Sequence, residues 1–134
     1  LTINGLSASN KVYDGNSSAS VIGSATLNGV LGIDIGNVTL NGTASGTFSD
    51  ANVGAAKTVN VSGFSISGTA SSNYSLSATT LSADITKANQ TISFTLSSPV
   101  VYPVVSSITL NGTSSSGLTV SYTSSNTSVA TSTP

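Results

Sequence analysis

An all-β fold, with two sandwich modules in tandem and the second incomplete, follows from three features of the sequence. Apolar residues alternate with polar ones over short runs, as at Val38, Leu40, Ala44 and Phe48, which is the period of a half-buried strand. Helical spacing is nearly absent, and Gly occurs 13 times, too often to leave a long uninterrupted helix. Asn-Gly and Asp-Gly pairs punctuate the runs at Asn4-Gly5, Asp14-Gly15, Asn28-Gly29, Asn41-Gly42 and Asn111-Gly112, where turns or bulges are expected.

Taken in order, Leu1 and Ile3 alternate with polar neighbours before Asn4-Gly5. A second strand leads to Tyr13 and stops at Asp14-Gly15, which makes Tyr13 a core or corner aromatic. Val21-Ile22 and then Ala25 and Leu27 give short patterns broken at Gly23, and residues 30–36 form a loop with Ile33 and Ile35 astride Asp34. Between Val38 and Phe48 the apolar parity is the same on both sides of Asn41-Gly42, so one long strand bent at that pair is expected. After a loop at 50–54, Val59 and Val61 share a face while Phe64 and Ile66 take the opposite parity. One extra residue at Gly63, as a bulge or a change of sheet, accounts for the slip. A second slip falls at Thr79-Thr80, where Tyr74, Leu76 and Ala78 give way to Leu81, Ala83 and Ile85.

Two slips suit strands that cross between sheets, and about seven short strands close naturally as an immunoglobulin-like sandwich over residues 1–86. Its core is expected from Phe48, Phe64 and Tyr74 beside Val59, Val61 and Leu76. Lys87-Ala88-Asn89-Gln90 marks the boundary to a second module, 87–134, because alternation ends at Ile85 and restarts at Ile92, Phe94 and Leu96. Pro99 and Pro103 confine Val100-Val101-Tyr102 to an edge strand or a connection, since proline donates no ladder bond. Ile108 and Leu110, then Leu118, Val120 and Tyr122, complete about four strand patterns, too few to close a sandwich.

Lys11-Val12-Tyr13-Asp14-Gly15, with Ala51-Asn52-Val53-Gly54 and Ser72-Asn73-Tyr74-Ser75-Leu76 beside alternating runs, resembles the YDG-type repeat module of large bacterial surface and filamentous-haemagglutinin-like adhesins. The likeness spans roughly residues 1–86 and implies an architectural module outside the cell. Gly117 to Asn126 with Ser128-Val129-Ala130-Thr131, and the opening Ala88-Asn89-Gln90-Thr91-Ile92, resemble part of a bacterial immunoglobulin-like repeat. That second likeness implies that further strands complete the module.

Composition narrows the function. Three Lys and four Asp are the only charged residues, so the basic stripe that displaces counterions from phosphates is missing, and nucleic acid is not an expected partner. Ser and Thr make up 48 of the 134 residues, so polarity rests on hydroxyls and amides, and little like-charge repulsion opposes self-association. Cys is absent, which removes disulfides and thiolate metal sites. No stretch approaches the ~20 apolar residues of a membrane helix. A chain opening at Leu1 reads as a piece of something longer.

Without His, Cys or Glu the usual bases and nucleophiles are missing, so no enzyme activity, catalytic residue or cofactor is expected. Asp14, Asp34, Asp50 and Asp84 read as solvated turn residues, with Asp84 the least unsuitable carboxylate for calcium. Lys11, Lys57 and Lys87 read as solvent-facing, and an intramolecular Lys-Asn isopeptide bond is the sharper alternative. Asn-x-Ser/Thr triplets at Asn16, Asn37, Asn41, Asn60, Asn73, Asn89, Asn111 and Asn126 could carry glycan. The expected role is a stalk or spacer in an extracellular adhesin, with neighbouring repeats or copies of itself as partners. The alternative is a filament or surface-layer subunit joined by strand complementation, with Leu1–Ile3 as the donor.

Overall fold

The chain is all-β: nine strands and two 3-10 turns, with no α-helix among the described residues. The computed structural model describes residues 1–96 and 107–132, and divides into two units, Leu1–Ala88 and Asn89–Pro134. The expected edge segment Val100-Val101-Tyr102 lies outside the described residues.

In the first unit the strands are β1 (Thr2–Ala8), β2 (Lys11–Val12), β3 (Ser18–Ala19), β4 (Val21–Asn28), β5 (Thr39–Phe48), β6 (Gly54–Ser67) and β7 (Thr79–Thr86). Five of them form one sheet in the order β2-β7-β6-β5-β3, and β1 pairs with β4 as a separate ribbon. All pairings are antiparallel except β2 with β7, which run parallel through Lys11↔Ile85 and Val12↔Thr86. Only Ser9-Asn10 separates β1 from β2, and only Ser20 separates β3 from β4. Two nearly continuous stretches of chain therefore serve both sheets, adjacent in the ribbon and then parted to the two edges of the five-stranded sheet. Ser9 N donates to Ser20 O at 3.0 Å where they part.

The outcome is a nearly closed, barrel-like sheet in which the chain runs up and down in sequence order. This pairing does not confirm the immunoglobulin-like sandwich. Its strands pair with their neighbours in the chain, and the last strand returns beside the first. The sheet crossings fall at Ser9-Asn10 and Ser20, not at Gly63 and Thr79-Thr80. The second expected slip is simply the start of β7, since Tyr74–Ala78 is not a strand.

β5 does run unbroken through Asn41-Gly42, and the β5–β6 ladder is irregular at Gly63, between Gly42↔Phe64 and Ser45↔Ser62, but the extra residue belongs to β5, where Thr43 and Ala44 stand opposite Gly63 alone. Gly42 and Gly63 both have positive φ, 99° and 92°, and face one another there. A Cβ on Gly42 would strike the Gly63 carbonyl oxygen, and one on Gly63 would strike that of Thr43, so two side-chain-free residues are what lets the strands approach. The ribbon repeats the device. Gly23 faces Gly5 where the β1–β4 ladder shifts between Asn4↔Thr26 and Leu6↔Gly23.

The buried core is Phe48, Val59, Ala83 and Ile85, with Ala8, Ala19 and Leu81 packed against it. Phe48 lies directly opposite Val59, and Val59 opposite Leu81, so the sheet register itself assembles the cluster. Of the six expected core residues only Phe48 and Val59 are buried. Val61, Phe64 and Leu76 are half-buried and, with Ile3, line an open cleft of about 310 Å³. The cleft exists because β1 leans against β7 without a ladder between them. Tyr74 is half-buried beyond β6, beside the 3-10 turn Ser71–Asn73.

The unit has two ends. The chain enters β1 at Thr2 beside the 29–38 and 68–77 loops, the leading end. There the Leu1 N donates to Ser75 O at 2.6 Å, and Ser77 N donates to Leu1 O at 2.8 Å. It leaves β7 at Thr86 beside the 13–17 and 49–53 loops, the trailing end, where Tyr13 N donates to Thr86 O at 2.8 Å. Leu1–Ile3 is thus no free donor strand: Thr2 and Ile3 pair with Asn28 and Leu27, and Ile3 is buried.

In the second unit the strands among the described residues are β8 (Ile92–Ser93) and β9 (Thr113–Ser114), an antiparallel pair. Leu118–Tyr122 does not form the expected strand, since among the described residues no strand pairs with it. Phe94 and Tyr122 stack tilted at 5.8 Å, and the Tyr122 hydroxyl accepts from Gly112 N at 2.5 Å. Ile92, Phe94, Leu96, Ile108 and Leu118 remain exposed.

Candidate functional site

The trailing end holds the densest chemistry, and it is built from β2 outward. Lys11 sits at the strand's start, and its Nζ reaches Asp14 Oδ1 at 2.7 Å, Asn16 O at 2.9 Å, Asn16 Oδ1 at 3.0 Å and Ser18 O at 3.2 Å. The Phe48 ring lies 5.9 Å away, so the ammonium caps the core on one side and is held by oxygens on the other. Asp14 also accepts from Asn16 N at 3.1 Å, and Asn16 Oδ1 accepts from Ser18 N at 3.0 Å. Gly15 supplies the positive φ, 80°, that turns the chain between them. The Lys11 hydrogen bond, seconded by the Asn16 amide, holds the Asp14 carboxyl below the usual carboxylate range.

The neighbouring loop repeats this chemistry. Asp50 Oδ1 accepts from Lys57 Nζ at 2.6 Å and from Asn52 N at 2.7 Å, and the Lys57 bond likewise lowers the Asp50 carboxyl. At the leading end Asp34 Oδ2 accepts from the Tyr74 hydroxyl at 2.7 Å, and that hydroxyl accepts from Leu31 N at 3.2 Å. The bond to Asp34 raises the Tyr74 phenol above its usual value. Asp84 Oδ1 accepts from Ala56 N at 2.7 Å, where Ala55-Ala56 bulge opposite it, and Asp84 N donates to Asn10 Oδ1 at 2.7 Å.

The four Asp are therefore tied into loops and bulges rather than simply solvated. Lys11 and Lys57, read from sequence as solvent-facing, retain only 17% and 11% side-chain exposure because each folds back on its carboxylate; Lys87 alone is exposed. Lys11 does meet an asparagine and a carboxylate together, as an isopeptide bond requires. Asp14 and Asn16 are both exposed, however, so the three groups meet in water and not in a buried site. No three metal-ligating side chains gather among the described residues. Tyr13 is 44% exposed, neither core nor buried corner. All eight glycan-acceptor Asn are exposed. Asn10 and the Lys57 pairing carry no signal in the sequence, whereas the repeated Asp-x-Asn at Asp14-Gly15-Asn16 and Asp50-Ala51-Asn52 is a pattern for the side-chain-closed turns seen at both places.

What this geometry does is close turns: a charged pair and an Asp-to-amide bond lock each loop. The loop so closed carries Tyr13-Asp14-Gly15, and the YDG domain model matches residues 1–83. The chain belongs to the YDG domain family. In this YDG domain the name-giving triplet is a structural turn, its Asp neutralised by Lys11 and its Tyr backbone bonded to the last strand. No curated protein and no solved structure matches the chain.

Proposed function

We propose that this chain is a non-enzymatic structural repeat module of an extracellular bacterial adhesin or surface protein, acting as a stalk or spacer. The observation that carries the reading is that the first unit takes in its chain at one end and releases it at the other, the arrangement a serial spacer needs. Spending the carboxylates and two of the three ammonium groups on loop closure supports it further. The second unit is read as part of a bacterial immunoglobulin-like module.

A filament or surface-layer subunit is the second reading, favoured by the exposed apolar residues Ile92, Phe94 and Leu118 over short strands. Its donor strand must come from somewhere other than Leu1–Ile3. The length of the parent polypeptide separates the two: many tandem copies favour the stalk, and little beyond these residues favours the subunit. Protease treatment of intact cells tests location, since a surface stalk is cleaved without lysis. Protection until lysis would overturn both readings.

A further inference from the structure

We propose that Asn28 is a site of self-modification. The Gly29 backbone nitrogen attacks the Asn28 side-chain amide, ammonia leaves, and an aspartate or isoaspartate results at the exit of β4. This chemistry needs only water and is independent of the stalk role.

Asparagine before glycine suits this reaction, because a residue without Cβ leaves the approach of its nitrogen unhindered and lets the chain bend into a five-membered ring. Four such pairs occur, at Asn4-Gly5, Asn28-Gly29, Asn41-Gly42 and Asn111-Gly112. All four asparagines are exposed, so solvent access does not rank them. What ranks them is whether nitrogen and amide are free to meet. Asn4-Gly5 lies inside β1, and a Cβ on Gly5 would strike the Ser24 carbonyl oxygen, so the facing strand leaves that peptide no room to turn. Asn41-Gly42 lies inside β5 opposite Ser65 and Phe64, and the Asn41 side-chain amide donates to Ser67 Oγ at 2.8 Å and to Thr39 O at 3.3 Å. At Asn111-Gly112 the nucleophile itself is engaged, since Gly112 N donates to the Tyr122 hydroxyl at 2.5 Å. Asp14-Gly15 closes the same ring only by expelling water from a protonated acid, and its carboxylate is bound by Lys11 and the Asn16 amide.

Asn28-Gly29 escapes these restraints. β4 ends at Asn28, so Gly29 stands outside the ladder. Among the described residues no hydrogen bond holds the Gly29 nitrogen or the Asn28 side chain. Only Leu1 comes near where a Gly29 Cβ would stand, at 3.6 Å, an ordinary contact that leaves the peptide room to swing. In the reaction the Gly29 nitrogen gives its proton to hydroxide as it bonds to Asn28 Cγ. The Cγ–Nδ2 bond breaks, and Nδ2 departs as ammonia after taking a proton from water. Water then opens the succinimide at either carbonyl. Aspartate forms when the ring nitrogen leaves Cγ, and isoaspartate, its chain running through Cγ, when it leaves the main-chain carbon. One water is consumed and one ammonia released, with no change of oxidation state. Both products place a new carboxylate where β4 hands over to the loop of Leu31–Ile35, and isoaspartate also lengthens the backbone there by a methylene.

The test holds the full chain folded at mildly alkaline pH, with a parallel sample in urea, and follows each site over time by proteolysis and fragment-ion mass spectrometry. Isoaspartate is read with an isoaspartyl methyltransferase. Asn28 is expected to convert first, roughly tenfold or more ahead of Asn41, because each hydrogen bond that must open beforehand lowers the reactive population by a few-fold to about tenfold. In urea the four rates converge. Tyr122→Phe, which releases the Gly112 nitrogen, raises Asn111 conversion several-fold and leaves that of Asn28 unchanged. Conversion of Asn4, Asn41 or Asn111 as fast as Asn28 in the folded chain overturns the proposal. So does a ranking that persists in urea, which would belong to the local sequence and not to the fold. A Tyr122→Phe chain in which Asn111 stays as slow overturns it too, since an engaged nucleophile would then not be what separates the sites.

Discussion

Truncating Phe48 to Ala removes the largest fully buried side chain of the core. Phe-to-Ala substitutions at such sites cost ~3–5 kcal/mol in lost transfer energy and cavity. At roughly 0.05–0.15 kcal/mol per residue, the Leu1–Ala88 unit holds about 4–13 kcal/mol in all. The substitution therefore removes from about a quarter to all of its stability. With ~4–8 °C per kcal/mol for a domain of this size, the melting temperature falls by at least about 12 °C. Phe64 is the internal comparison. One side of its ring already faces the open cleft, so Phe64→Ala forfeits less burial, about 1–2 kcal/mol. Thermal melts of the full chain followed by far-UV circular dichroism, with urea titrations to check the slope, read both. Equal shifts for the two variants, or an unmoved midpoint for Phe48→Ala, would refute the assignment of Phe48 to the buried core and of Phe64 to the cleft.

Gly63→Ala should destabilise well beyond Gly15→Ala, because both meet the ~1–2 kcal/mol of left-handed backbone but only the Gly63 methyl strikes the facing strand; comparable midpoints would contradict that close approach. Deleting residues 1–5 takes away half of β1 with buried Ile3, and the first unit is expected to lose its cooperative melt; a truncated chain that melts like the parent would return Leu1–Ile3 to the role of a free strand. Asp14 and Asp50 have carboxyls lowered on folding, so their contribution is present above about pH 4 and lost as pH falls through the folded values. Melting temperature measured from pH 7 downward should drop more steeply in the wild type than in the Asp14→Asn, Asp50→Asn double variant, and parallel profiles would count against the pairs. Tyr74 is raised, so its contribution holds below about pH 10 and fades above it, and Tyr74→Phe should flatten the alkaline limb of the same profile.

Much of the strand pattern was legible because burial on one face forces a period of two. The unchanged parity across Asn41-Gly42 gave one long β5, and the slip at Gly63 lay where the ladder shifts. Closure was not legible. β2 and β3 are two residues each, too short to display any period, and they are the strands that carry the chain from ribbon to sheet. Core membership went astray for a related reason: Phe64 and Leu76 alternate as core residues should, but whether a face is covered depends on what lies across from it, and there an open cleft separates them from close packing. At the candidate site, Asp14-Gly15 announced a turn, whereas the Lys57–Asp50 pair joins residues seven apart across a loop and has no local period to betray it.

The parallel neighbours β2 and β7 decide how the first unit answers a pull. Tension on the chain drags the β1–β2 stretch toward the leading end and β7 toward the trailing end, with β2 the part that lies beside β7. Being adjacent and co-directional, the two slide past each other lengthwise rather than peeling. The β2–β7 bonds, the Tyr13 N to Thr86 O bond and the Leu1 bonds to Ser75 and Ser77 then share the load at once. A hairpin pulled from its open end would yield them one after another. Mechanical strength in this unit is thus a property of which strands come first and last, and a circular permutant with every side chain in place would give way at a lower force.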